Sequence, residues 1–239
     1  MEKKNYLLRF KELISFIKSP QRNIASDYNI KDKLKDTFFF FTLKFCLVIT
    51  VGIILTFFLD LNNIGLQKMK SNSSQWNLII IGAFLIPLLE ELTFRLCLVF
   101  KPIFLAISSA MFFYVYGGKA IFGTGYSNFG EETPLKIVLS IVFGLFFYLI
   151  SRKFNKIIHG MWDRNFRWIY YFSIILFSFL HITNYELTLK NIMLIPMITL
   201  PQTISGAFTG YIRLRHGFQY GFFMHSLNNL IAFSIVSLI

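Results

Sequence analysis

The chain has 239 residues, of which 55% are hydrophobic and 15% are charged, with a formal net charge of +12. Soluble domains average about 25% charged residues, and one of this size could not bury so much apolar side chain. The composition therefore excludes an ordinary soluble domain. The basic residues stand at the ends of apolar runs rather than along one face, which favours a membrane protein over a nucleic-acid-binding protein.

The sequence predicts two parts. Residues 1–36 form a basic, partly amphipathic cytoplasmic segment, and residues 37–239 form a transmembrane helical domain. In the first part, apolar residues recur at helical spacing between basic ones, which predicts a helix on the membrane surface that ends at Pro20. These apolar residues are Leu7, Phe10, Ile14 and Ile17. The alternative is a loosely ordered basic arm.

Seven apolar runs in the second part are predicted to cross the membrane. They begin near residues 37, 76, 102, 135, 168, 191 and 218. An eighth span would require one of these runs to be split, so the predicted fold class is an all-α polytopic bundle of seven or eight spans. Pro196 and Pro201 predict a break in the sixth run. The distribution of Lys and Arg predicts a cytoplasmic N-terminus.

The predicted loops and the remaining charged and polar residues complete the prediction. The glycine-rich stretch 117–134 and the basic stretch 152–167 are expected to be loops. Lys44 is the one charge of the first span, and it either snorkels towards an end or faces the bundle. Polar residues in the loops are expected to be solvated: His159, His216, Glu131 and Glu132.

A Glu-Glu-Leu-Thr-Phe-Arg stretch at 90–95 ends the second apolar run and places three charges at membrane depth. Such charges are costly, and they are functional-site candidates by default. Glu91 and Arg95 stand four residues apart, the spacing of a helical ion pair. Because adjacent helical side chains diverge by about 100°, we expect Arg95 to neutralise Glu91 and Glu90 to carry the chemistry. The alternative is that all three charges simply mark a helix end.

Two further spans carry polar side chains. His181 lies in the fifth span, with Phe177 four residues before it, so the phenyl ring is expected to wall the imidazole on one side. His225 and Asn229 lie in the seventh span, and their i,i+4 spacing places imidazole and carboxamide on one helix face. A lone intramembrane histidine is more often a packing residue, so the combination of groups matters more than any single one.

These groups suit hydrolysis. A carboxylate and a neutral imidazole, here Glu90 and His181, deprotonate a water. A second imidazole and a carboxamide, here His225 and Asn229, donate hydrogen bonds to the oxyanion that forms on a peptide carbonyl. Alternatively, Glu90, His181 and His225 hold a divalent metal such as zinc, whose bound water is the nucleophile. The HExxH and GxSxG signatures are absent from the sequence.

In chain order, the motifs EExxxR, FxxxH and HxxxN resemble those of the type II CAAX prenyl protease and bacteriocin-processing family of integral membrane proteases. The resemblance implies a helical bundle in a bacterial plasma membrane, with an intramembrane cavity open to the cytoplasm and endopeptidase activity. It implies a metal-dependent or a glutamate-dependent mechanism. The implied site residues are Glu90, His181, His225 and Asn229, supported by Glu91 and Arg95.

The expected partners are membrane lipid and a peptide or protein substrate, with or without a lipid modification, and no nucleic acid. Two other functions fit the same residues. One is a non-catalytic membrane partner, such as a bacteriocin-immunity or regulatory protein, that keeps the site for binding or stability. The other is a small-solute transporter in which Glu90 and His181 relay protons, although no internal repeat accompanies it.

Overall fold

The structure is a computed structural model that describes residues 6–22, 24–59, 63–72, 74–123, 125 and 130–238. Helices make up nearly all of this part of the chain. They are α1 (Tyr6–Lys18), α2 (Ile30–Leu59), α3 (Ile64–Asn72), α4 (Gln75–Leu98), α5 (Pro102–Phe122), α6 (Thr133–Lys153), α7 (Asn155–Arg164), α8 (Phe166–Asn184), α9 (Leu189–Met193), α10 (Ile195–Ile198), α11 (Leu200–His216) and α12 (Phe218–Leu238). The predicted all-α class is confirmed.

Five of the described helices, α2, α4, α5, α6 and α8, are long and apolar enough to cross a membrane. The burial pattern agrees with a lipid environment. Phe57 on α2 is 84% exposed, whereas Lys44 on the same helix is 0% exposed. A chain that exposes phenylalanine and buries lysine is arranged for an apolar solvent. The count of seven or eight spans and the cavity open to the cytoplasm stay predictions.

Several predicted boundaries differ from those in the structure. α2 begins at Ile30, seven residues before the predicted start of the first span, so the predicted domain boundary after Asp36 falls inside a helix. α5 continues through Gly117 to Phe122, and Gly123, with φ +71°, ends it in the left-handed region that favours glycine. The predicted loop therefore starts later; residues 124 and 126–129 of it lie outside the described residues.

The basic stretch after the fourth span is also helical. α7 occupies Asn155–Arg164. Its basic and apolar residues are interspersed, so the segment is polar on average, and a polar average composition predicts a loop. The sixth run is broken as predicted. Leu194 and Thr199 interrupt it two residues before Pro196 and Pro201, respectively, and the last segment, α11, continues to His216.

The chain divides into two compact units, which are described separately: residues 1–87 with 166–239, and residues 88–165. In the first unit α11 lies at the centre and packs against α1, α2, α8 and α12. The Tyr170 hydroxyl on α8 donates to the Ala207 carbonyl on α11 at 2.7 Å. α12 approaches α11 closely at Gly221, where a Cβ atom would stand 3.1 Å from the Thr209 carbonyl oxygen.

The second unit contains the end of α4 together with α5, α6 and α7. Its main contact is between α5 and α6. Gly144 on α6 makes that contact possible, because a Cβ atom there would stand 2.9 Å from both the Ala106 carbonyl oxygen and the Ala110 Cβ. Small residues at such a contact are typical of membrane helices, where association depends on close packing.

Candidate active site

The double-glutamate motif lies on the part of α4 that belongs to the second unit. Arg95 Nε stands 3.7 Å from Glu91 Oε1, and both side chains are 1% exposed. The ion pair predicted from the spacing is therefore present. Glu90 is only partly buried, so the two carboxylates occupy different surroundings, as the helical divergence of adjacent residues requires.

The end of α4 holds this pair in register. The backbone amide of Arg95 donates to the Glu91 carbonyl at 2.9 Å, so the helical repeat continues to the arginine. Ser108 on α5 donates its hydroxyl to the Leu92 carbonyl at 2.7 Å. This bond fastens α5 to the turn that carries the ion pair and satisfies an acceptor near the helix end.

In the first unit, His181 and His225 lie against the same side chain. Phe177 is 2% exposed. Its ring centre is 4.6 Å from that of His181 and 6.1 Å from that of His225, with an edge-on geometry in both cases. The wall that the sequence predicted for His181 is confirmed, and the structure adds that the same phenyl ring also walls His225. The second and third motifs thus meet.

A hydrogen bond sets the tautomer of His181. Its Nδ1 atom is 2.8 Å from the Phe177 carbonyl oxygen. A carbonyl only accepts, so Nδ1 carries the hydrogen and Nε2 is the unprotonated nitrogen of the neutral ring. α8 changes from α-helical to 3₁₀ geometry at His181, which places the imidazole at the C-terminal end of the span.

Asn229 contacts a distorted turn of α4. Its Nδ2 atom donates to the Gly82 carbonyl at 3.0 Å. Gly82 belongs to a π-helical turn, Ile81–Leu85, and such turns misalign backbone carbonyls and recur at functional sites. The helices approach closely here, since a Cβ atom on Gly82 would stand 2.6 Å from the Phe233 ring. The sequence identified Asn229 but not its partner.

Lys44 is a polar neighbour that sequence reasoning left unassigned. The α2 helix starts earlier than predicted, so Lys44 lies in the middle of the span and not near an end. Its Nζ atom donates to the Met224 carbonyl, the residue before His225, at 3.4 Å. Of the two predicted positions for the Lys44 side chain, snorkelling towards an end or facing the bundle, the structure shows the second. A single lysine within an apolar run is the signal that points to it.

Two buried polar atoms on α12 flank this region. Ser226 Oγ and Asn228 Oδ1 have no hydrogen-bond partner, and Ser226 is 4% exposed. Buried polar atoms are nearly always satisfied by protein or by water. The helix face around His225 is therefore more polar than a packing surface requires.

The six predicted site residues fall into two groups. Glu90, Glu91 and Arg95 belong to the second unit, whereas the residues of the other two motifs, His181, His225 and Asn229, belong to the first. That both groups act on one substrate stays a prediction. Among the described residues, no group of three or more His, Cys, Asp or Glu side chains is arranged to hold a metal ion.

His216 corrects a prediction. It was expected to be solvated, but it is 5% exposed. Its Nε2 is 2.8 Å from Asp36 Oδ2, and its Nδ1 is 2.8 Å from the Ser26 hydroxyl. Burial lowers the pKa of the His216 imidazole and outweighs the opposite effect of the Asp36 carboxylate. The neutral ring donates to Asp36 and accepts from Ser26. A basic flank in the sequence does not reveal such burial.

The other polar loop residues fit their prediction better. His159 and Asp163 form an i,i+4 pair at 3.0 Å with side chains 44% and 45% exposed. Glu131 is exposed and Glu132 is partly buried. His159 and these three carboxylates lie outside the predicted apolar runs, so they are not candidates for the site.

Comparisons of the chain with protein-family models, with curated proteins and with solved structures found no match. The resemblance to CAAX prenyl proteases therefore depends on the three motifs alone.

Proposed function

We propose that the protein is an intramembrane endopeptidase that hydrolyses a peptide bond with a glutamate-activated water. The observation that carries the proposal is the contact of both His181 and His225 with the Phe177 ring. Two imidazoles from different helices, placed against one buried ring in an apolar bundle, are expensive to keep without a chemical task. The ion pair of Glu91 and Arg95 also supports the proposal, because it stabilises the charged end of α4 that carries Glu90.

Glu90 and His181 activate the water that attacks the peptide bond. Glu90 accepts a proton from water, whose oxygen attacks the peptide carbonyl carbon, and His181 orients that water through its unprotonated Nε2. The negative charge develops on the carbonyl oxygen. Glu90 then passes the proton to the departing amine nitrogen as the carbon–nitrogen bond breaks.

The oxyanion is stabilised by His225 and Asn229. A carboxamide nitrogen carries two hydrogens. One hydrogen of Asn229 is donated to the Gly82 carbonyl, which fixes the plane of the amide, and the second is available in this role. Preorganised donors of this kind contribute about 10²–10³-fold to the rate.

The experiment compares the membrane proteins of the native host carrying wild-type protein with those of strains carrying Glu90→Gln or Glu131→Gln. Mass spectrometry of protein termini is the readout. Glu131→Gln is the matched control, because Glu131 is an exposed member of the other double-glutamate pair. We expect Glu90→Gln to remove specific cleavage termini and Glu131→Gln to keep them, with equal amounts of inserted protein in all strains.

Identical termini in the three strains would overturn the proposal. A Glu90→Gln strain that retains the full physiological role of the wild type would instead support the non-catalytic membrane partner. The two outcomes are read independently, since the first concerns chemistry and the second concerns phenotype.

A further inference from the structure

A cavity of about 610 Å³ lies in the first unit, and none of its lining residues belongs to the three motifs. It is bordered by α1, by residues 19, 21 and 24–28, and by the C-terminal end of α11. This volume falls within the range of small-molecule sites. The side chains that matter for its chemistry are Glu12, Asp27, Tyr28, Tyr211 and Arg215.

Buried ion pairs fix one wall of the cavity. The Asp36 carboxylate, which is 0% exposed, forms ion pairs with Arg215 and Arg9. Arg215 Nε is 2.9 Å from Asp36 Oδ2, and Arg9 Nη1 is 2.8 Å from Asp36 Oδ1. Arg215 Nη2 also pairs with Glu12 Oε2 at 3.0 Å. The guanidinium stands 5.7 Å from the centre of the Tyr28 ring. Arg215 is therefore held in one position before any ligand arrives, which lowers the entropy cost of binding.

Tyr211 provides a second, independent observation. It is 1% exposed, it lines the cavity, and its hydroxyl is buried without a hydrogen-bond partner. A buried hydroxyl nearly always has a partner. The Arg215 guanidinium stands 5.6 Å from the Tyr211 ring centre, so the two side chains are neighbours in the lining of the cavity.

Both signs of charge border the cavity. Arg215 and the Tyr211 hydroxyl are donors suited to a carboxylate. Asp27 is an exposed acidic side chain that also lines the cavity and suits an ammonium group. We propose that this cavity binds a small water-soluble zwitterion, an amino acid or short peptide, with its carboxylate on Arg215 and Tyr211 and its ammonium on Asp27.

The faces of α1 favour a water-soluble ligand over a lipid. Phe10 and Ile14 are 39% and 36% exposed and belong to the apolar side of the helix. Each stands two positions from Glu12, which places it about 160° round the helix from that residue. The side of α1 that suits acyl chains is therefore opposite the side that borders the cavity.

The test measures the thermal unfolding midpoint of the purified full chain in detergent against the concentration of glycine or triglycine. Binding to the folded state raises the midpoint with ligand concentration. The doubly blocked peptide N-acetyl-triglycine amide, which lacks both charges, is the ligand control. We expect at least one of the two zwitterions to stabilise the protein and the blocked peptide to have no effect.

Variants locate the site. Tyr211→Phe removes one hydroxyl, and Asp27→Asn removes one charge. Each is expected to raise the apparent dissociation constant by about tenfold or more, as the loss of a hydrogen bond to a charged group implies. Tyr148→Phe and Asp32→Asn are matched controls outside the cavity and should leave it unchanged.

The inference is overturned if neither glycine nor triglycine raises the midpoint. It is also overturned if the blocked peptide acts equally well, or if Tyr211→Phe and Asp27→Asn bind as the wild type does. Because binding and not cleavage is measured, the result stands apart from that of the proposed endopeptidase activity.

Discussion

Replacing Glu91 by glutamine should destabilise the protein strongly, because it removes the negative charge that pairs with the buried Arg95 guanidinium. The two charged atoms are 3.7 Å apart and each side chain is 1% exposed. With an effective dielectric constant of about 20, Coulomb's law gives an attraction of about 4 kcal/mol at this distance. Breaking one side of a buried pair typically costs about 3–5 kcal/mol. We expect a loss in that range.

A double-mutant cycle separates this interaction from other effects of the substitutions. The variants are Glu91→Gln, Arg95→Met and the double variant, and the free energy of unfolding of the purified chain is measured in mixed micelles of increasing SDS fraction. The double variant should be more stable than the sum of the single effects predicts, because removing both charges leaves none uncompensated. Glu131→Gln, at an exposed carboxylate, should change stability by less than about 0.5 kcal/mol.

An additive cycle would refute this reasoning. If the coupling energy is near zero, the 3.7 Å approach contributes nothing, and Glu91 and Arg95 are buried for reasons other than their mutual attraction. If Glu91→Gln leaves stability unchanged, the burial of the arginine charge is not compensated by this carboxylate.

Two further predictions concern the first unit. Gly82→Ala should lower the free energy of unfolding by about 1–3 kcal/mol through overpacking, because the new Cβ atom would stand 2.6 Å from the Phe233 ring. In a Phe233→Ala background the same substitution should cost little. Equal losses of stability in the two backgrounds would contradict the contact. For His216, the lowered pKa means that below about pH 6.5 the unfolded chain binds a proton that the folded chain does not, so stability falls as the pH falls through that value. The unfolding midpoint from pH 7.5 to 5.5 should therefore drop more for the wild type than for His216→Gln, and parallel curves would exclude His216 as the titrating group.

Local spacing in the sequence was a reliable guide where both partners lie on one helix. The pairing of Glu91 with Arg95 and the contact of Phe177 with His181 both follow from i,i+4 geometry. Helical periodicity alone determines such contacts, so no knowledge of the neighbouring helices is needed.

Composition was a poorer guide to the segments between spans. The polar and glycine-rich composition of these stretches predicts loops, whereas α5 runs through Gly117 and α7 occupies Asn155–Arg164. Glycine is tolerated in membrane helices, and an amphipathic helix is polar on average although one side of it is apolar. The hydropathy of a segment therefore does not separate a loop from a surface helix.

His216 shows why burial of a polar residue was not predicted. Its carboxylate partner Asp36 is 180 positions away in sequence, and the basic residues around it suggest solvent. Only the packing of α11 against α2 brings the imidazole to the carboxylate. The same holds for Lys44 and the Met224 carbonyl.

The amino-acid sequence is enough to predict the helical class, the apolar runs that suit a membrane, and the contacts within single helices. Three contacts between helices could not be read from the sequence: the contact of His225 with the Phe177 ring, the hydrogen bond from Asn229 to the Gly82 carbonyl, and the ion pair of Arg215 with Asp36. The physical reason is that a helix fixes the spacing of its own side chains, whereas in a membrane protein the side facing lipid and the side facing protein are both apolar. Which helix faces meet is therefore settled by packing and by the need to pair every buried charge.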